Sequence, residues 1–91
     1  MDRNLLFGAL AFQDDYIDLT QFAEVCRAWN SDKSRPMADL LVGRGWLNEQ
    51  ERAELERLAA GTLQRFGGNV AEAILATSPG LREMLKGLGL D

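Results

Sequence analysis

Histidine is missing from this sequence altogether, and that absence removes most of the reaction chemistry open to a small domain. Histidine is the usual general base near neutral pH, the commonest metal ligand, and a member of every Cys-His or Ser-His-Asp arrangement. The single cysteine, Cys26, can form neither a zinc site nor an intrachain disulfide by itself. It stands between Val25 and Trp29 on an apolar helical stripe, where a small hydrophobe packs well, and is read as structural. The 14 acidic residues are spread along helix faces expected to be wet, not set in the apolar surroundings that make a carboxyl a general acid. Gly43, Gly45, Gly67 and Gly68 follow apolar helical runs, which is the chemistry of helix termination. A phosphate-binding loop would need Gly-Lys-Ser/Thr opening a helix after a strand. No catalytic residue, metal ligand or cofactor site is expected.

What remains is binding. Tryptophan is enriched both in cores and at interface hot spots. Trp29 shares the buried stripe of Cys26, whereas Trp46 stands beside Gly45 in a turn and is a candidate contact. Arg27, Lys33, Arg35 and Arg44 concentrate positive charge around the middle connector of an otherwise acidic chain, a second candidate surface for an anionic partner or ligand. Glu49, Glu51, Glu54 and Glu56 form an acidic face whose first members complement a helix dipole. Leu81, Met84, Leu85 and Leu88 make the last segment very apolar, either a closing lid or an association stripe. A net charge of −4 argues against a dedicated nucleic-acid binder. No apolar run reaches the roughly 18 residues of a bilayer span, and Met1-Asp2-Arg3-Asn4 lacks the pattern of a signal peptide, so a cytoplasmic location is expected.

The elements that must carry these residues read as helices, and strand signals are poor. With 91 residues and 46% apolar content, a single domain over residues 1–91 is expected, all-α, a compact bundle of five to six helices. The first spans about Arg3 to Gln13, capped by Asp2 or Asn4 and ended by Asp14-Asp15. Asp18 with Gln21 forms a capping box for the second, with Ile17 stapling onto Phe22, and with Phe22, Val25, Cys26 and Trp29 on its inner stripe. A short third helix begins near Pro36, turns Met37, Leu40 and Leu41 inward, and stops at Gly43 and Gly45. Asn48 with Glu51 opens a long fourth helix whose apolar positions are Ala53, Leu55, Leu58, Ala59 and Phe66. Asn69 with Glu72 repeats the device before Ile74 and Leu75, and Ser78-Pro79 opens a last turn or two.

A shift of thirty residues lays the first half over the second: Leu10 on Leu40, Tyr16 on Trp46, Ile17 on Leu47, Asp18 on Asn48, Ala23-Glu24 on Ala53-Glu54. The shared order is a short apolar helix, a tight turn, an aromatic, an aliphatic, an Asx cap and a longer helix. We read a duplicated helical hairpin, unit one over about 3–30 and unit two over about 36–66, closed by helices over about 69–89. Each unit alone would leave its apolar face wet, so the two are expected to pack on each other.

The opening Asp2-Arg3-Asn4-Leu5-Leu6-Phe7-Gly8, then Ala11-Phe12-Gln13, Trp29, the connector Asp32-Lys33-Ser34-Arg35-Pro36, Leu41-Val42, Gly45, Leu47 and Gly67-Gly68 resemble the region ahead of the kinase domain in many planctomycete serine/threonine protein kinases. The resemblance covers about Asp2 to Leu75 and implies an accessory, regulatory or oligomerising module whose partner kinase domain supplies the chemistry. No kinase signature occurs in the chain itself: it has no His-Arg-Asp and no Asp-Phe-Gly. The duplication also resembles, distantly, the cyclic-dinucleotide-binding N-terminal domain of type II secretion and type IV pilus ATPases. Leu6 and Pro36 stand where that repeat has arginines, and Trp29 and Ala59 where it has closing glutamines, so the scaffold is similar while the ligand positions are not. The expected function is therefore a non-catalytic regulatory module acting through protein association, with itself as a homodimer or with a kinase domain. The alternative is a small-anion or cyclic-dinucleotide sensor with a degenerate motif, built on Arg27, Lys33, Arg35 and Arg44.

Overall fold

The computed structural model describes residues 3–77 and folds them into five α-helices, with no strand among the described residues. The helices are α1 (Arg3–Gln13), α2 (Leu19–Ser31), α3 (Met37–Gly43), α4 (Glu49–Arg65) and α5 (Val70–Thr77). The all-α reading is correct, and the Leu81 to Leu88 stripe with the turn opened by Ser78-Pro79 lies outside the described residues.

α1 is the centre of the molecule. Every residue from Leu5 to Ala11 is buried, so the helix is apolar all round rather than along one stripe. A helix of that composition must be enclosed, and α1 touches all four of the others. α3 lies beside it as the second inner helix, α2 packs on both, α4 packs on α1 and α3, and α5 closes over α1 and α4. The core joins Leu6, Phe22, Val25, Cys26, Met37, Leu41, Leu55 and Ile74, all essentially without solvent contact.

Local sequence chemistry sets the helix starts. Asp18 accepts from the Gln21 N–H at 2.8 Å while the Gln21 side chain accepts from the Asp18 N–H at 2.8 Å. Asn48 and Glu51 repeat that box at 2.8 and 3.0 Å. These reciprocal bonds satisfy two donors that a helix N-terminus otherwise leaves without partners. Asn69 accepts from the Glu72 N–H at 3.1 Å and opens α5 in the same way.

The turns reproduce the thirty-residue repeat atom by atom. Asp14, Asp15 and Tyr16 donate their N–H groups to the carbonyls of Leu10, Phe12 and Ala11 at 2.9, 3.2 and 2.9 Å. Arg44, Gly45 and Trp46 donate to Leu40, Val42 and Leu41 at 3.1, 3.0 and 3.1 Å. Each turn reverses through a left-handed residue, with φ of 63° at Asp15 and 75° at Gly45. Burial also repeats, residue for residue, from Leu10 to Gln21 and from Leu40 to Glu51.

Three expectations are corrected. Asn4 does not cap α1: it sits inside that helix, and its Oδ1 accepts from the Met37 N–H at 2.8 Å, so it caps α3 across the molecule. Of the apolar positions of α4, Ala53 and Leu58 are exposed; its inner side is made by the buried Leu55 and Thr62 with the partly buried Ala59 and Phe66. Gly43 is the last residue of α3 rather than its stop, and the reversal falls on Gly45, where the backbone enters the region that favours glycine.

Candidate functional site

The two units share a backbone plan and differ in what their second helices present. In α2 Phe22, Cys26 and Trp29 are all buried, with Phe22 stacked on Phe12 near the end of α1. Thirty residues on, α4 carries Arg52, Glu56 and Ala59. Those three residues of α4 line a groove of about 450 Å³. Its floor is made by Leu6, Phe7 and Ala38, which are buried, and by Ala59. Arg3, Pro36 and Glu56 line it from exposed positions.

Charge at this groove is ordered. Arg52 Nη1 lies 2.7 Å from Asp39 Oδ1, and Arg52 Nε donates to Glu56 Oε1 at 3.1 Å. The guanidinium thereby ties the start of α3 to α4, and the two carboxylates hold its pKa above the usual arginine value. Both pairs are partly exposed, so they orient the side chain more than they stabilise the fold. Arg3 forms no ion pair among the described residues, and with Arg52 it balances the two carboxylates of Asp39 and Glu56.

The residues with candidate contact roles do not gather in one place. Trp46 is half-buried against the core, and the Arg44 guanidinium lies over its ring at 5.7 Å. Arg44 also donates from Nε to Glu24 at 3.2 Å. Tyr16, the unit-one counterpart of Trp46, donates to Glu54 at 3.4 Å. Glu24 and Glu54 are themselves repeat counterparts, so the turn of each unit is strapped to the long helix of the other. The pKa of Tyr16 is raised by burial and then by the carboxylate of Glu54. Lys33 sits over the buried Trp29 ring at 5.0 Å, in cation–π contact. Arg27 and Arg35 are exposed. None of the four connector cations lines either of the two grooves described here. The second groove, of about 330 Å³, lies among Leu10, Leu58, Thr62 and Phe66 and reaches Thr77.

Cys26 is fully buried and unpaired, and burial pushes its thiol up to about 12, far from a reactive thiolate. The Asp32 carboxylate accepts from the Ser34 hydroxyl and from the Ser34 N–H, which holds its pKa low and folds the connector back on itself. Trp29 Nε1 is buried without an acceptor among the described residues. Among those residues no group of three potential metal ligands comes together, and no helix is long and apolar enough to cross a membrane.

Sequence reasoning missed the groove. Arg3, Glu56 and Arg52 carry no signal as single residues. The signal lies in the repeat comparison, where an apolar triplet in one copy meets a charged and small triplet in the other. Compared with family models, curated proteins and solved structures, the chain gives no match in any of the three.

Proposed function

We propose that this chain is a non-catalytic module that works by protein association, binding further copies of itself and, through them, organising an attached serine/threonine kinase. The observation that carries this reading is the inequality of the two units. The second helix buries Phe22, Cys26 and Trp29 in one unit and in the other carries Arg52, Glu56 and Ala59 along a groove with an apolar floor and charged edges. That is the anatomy of a protein-binding surface. Exposed Leu19 and Leu58 and half-buried Trp46 add apolar area outside the core. The kinase part of the proposal rests on the residues from Asp2 to Gly68 that resemble the region ahead of planctomycete kinase domains.

Sedimentation velocity across a concentration series, at low and at high salt, tests the association. The sedimentation coefficient is expected to rise with concentration. A value that stays at that of a monomer up to millimolar chain overturns the reading.

A further inference from the structure

The two units of the duplication hold each other more than either holds itself. α1 packs on α3 and α4 more extensively than on α2, its own hairpin partner, and α3 packs on α1 and α2 more extensively than on α4. A hairpin whose two helices meet so little leaves its apolar face wet unless the other hairpin covers it. The polar ties run the same way. Tyr16 of unit one donates to Glu54 of unit two, Arg44 of unit two donates to Glu24 of unit one, and Asn4 of unit one caps α3. The contact between units is therefore reciprocal, like the interface of a two-fold dimer. Residues 32–36 join the units covalently and are exposed throughout. The hydrogen bonds of residues 32–35 run within that segment and to the end of α2: Ser34 donates its N–H and its hydroxyl to Asp32 Oδ1, and the Asp32 N–H reaches the carbonyls of Ala28 and Trp29. Pro36, with φ of −59°, stiffens the segment and biases Arg35 away from the helical region.

We propose that copies of this chain associate by exchanging units: α1 and α2 of one copy pack on α3, α4 and α5 of a second copy, and the reverse, with residues 32–36 as the hinge. This rests on the self-association proposed above and names the surface that makes it. The partner is fixed by the surface itself. The face that unit one covers is complementary to unit one, and a second copy brings an identical unit one. The grooves make no such selection, because Arg3 and Arg52 balance Asp39 and Glu56 at one of them and Arg65 stands beside Asp14 at the other. Exchange keeps every contact between units, so the balance between one chain folded back on itself and two chains exchanged falls on the hinge. A short, stiff hinge raises the cost of folding back and favours exchange. The product is a closed dimer with two copies of the same interface, not an open chain of copies.

The test changes the hinge in the whole chain and leaves both units untouched. Inserting three Gly-Ser pairs between Ser34 and Arg35 frees the chain to fold back on itself, and is expected to weaken dimerisation at least about tenfold in sedimentation velocity. Deleting Lys33 and Ser34 tightens the hinge and is expected to give dimer at concentrations where the native chain is mostly monomer, with native helicity by circular dichroism. A second pair of variants reads the exchange itself. Glu24→Arg and Arg44→Glu each place like charges across one tie between units, in a monomer or in a dimer of either variant alone. An exchanged dimer holding one chain of each restores an opposite-charge pair at both interfaces. Refolded together from urea, the two are expected to give mixed dimers in clear excess of the half share of random pairing, counted by native mass spectrometry. A native chain that dimerises no more strongly than the chain with the lengthened hinge overturns exchange and leaves self-association standing. Mixed dimers at the random share overturn exchange as well. A native chain that never assembles overturns both proposals together.

Discussion

Unit one and unit two of this chain share a fold and have different side-chain chemistry. The end of the first helix, the reversed turn and the capping box of the second coincide, yet α2 (Leu19–Ser31) buries Phe22, Cys26 and Trp29 where α4 (Glu49–Arg65) carries Arg52, Glu56 and Ala59. Both units keep a cap, a left-handed reversal, a buried aliphatic just after it (Ile17, Leu47) and one in the middle of the second helix, supplied by Val25 in α2 and by Leu55 in α4. The sites beside that last position differ. Unit one uses the neighbouring sites for stability, and unit two exposes them.

The comparison is broken most forcefully at its largest side chain. Trp29→Ala is expected to cost about 3–5 kcal/mol, the usual range for emptying an aromatic site in a core. Its counterpart Ala59→Gly should cost only about 1 kcal/mol, a matter of helix propensity. Urea denaturation of the two variants reads the difference, and equal losses would mean that the two helices carry equal shares of the core.

Gly8 and Ala38 form the next pair. A Cβ at Gly8 would run into Met37 Sδ and approach Phe22 to 3.3 Å, and both side chains are fully buried. Overpacking of about 1–3 kcal/mol then outweighs the helix-propensity gain of about 1 kcal/mol. Gly8→Ala is expected to lower stability by about 1 kcal/mol, measured as a fall in the urea midpoint, although the sister position already holds alanine.

The reversed turns give a pair of opposite sign. Gly45→Ala forces a Cβ into a φ of 75° and should cost about 1 kcal/mol. Asp15→Gly relieves the same conformation at a φ of 63° and should add about 0.5 kcal/mol, the relief being offset in part by the looser unfolded chain. Thermal midpoints moving in the same direction would sink the equivalence of the two turns.

The smallest effect at neutral pH concerns Cys26, whose counterpart Glu56 is exposed. Folding raises the thiol pKa from 9.0 to about 12. Below pH 9 the thiol is protonated in both states and the stabilisation is complete. Above it the unfolded chain releases a proton that the folded chain keeps, so stability falls progressively towards pH 12. Native protein at about pH 8, below the free-thiol range, should resist alkylation until urea opens the core. Fast labelling would contradict the burial of this side chain.

Much of the architecture is legible in the chain before it folds. Asp18 with Gln21 and Asn48 with Glu51 mark their helix starts, and the thirty-residue shift marks the two units. The candidate contacts are less legible. Arg27, Lys33, Arg35 and Arg44 are close in sequence, but Lys33 lies over Trp29 and Arg44 is held by Glu24 and Trp46. Leu58 reads as one of the apolar positions of α4, yet it is 37% exposed at the edge of the groove it lines with Leu10 and Phe66.

The division between local and non-local features has a simple physical cause. Caps, reversals and helix lengths depend on hydrogen bonds between near neighbours in the chain and on the backbone preferences of single residues, so they can be read from residue order alone. Which side of a helix is covered depends on how segments far apart in sequence rotate against each other. Packing decides that Asn4 caps α3 rather than α1, that Arg52 bridges Asp39 and Glu56, and that Arg52, Glu56 and Ala59 line a groove with the start of α1.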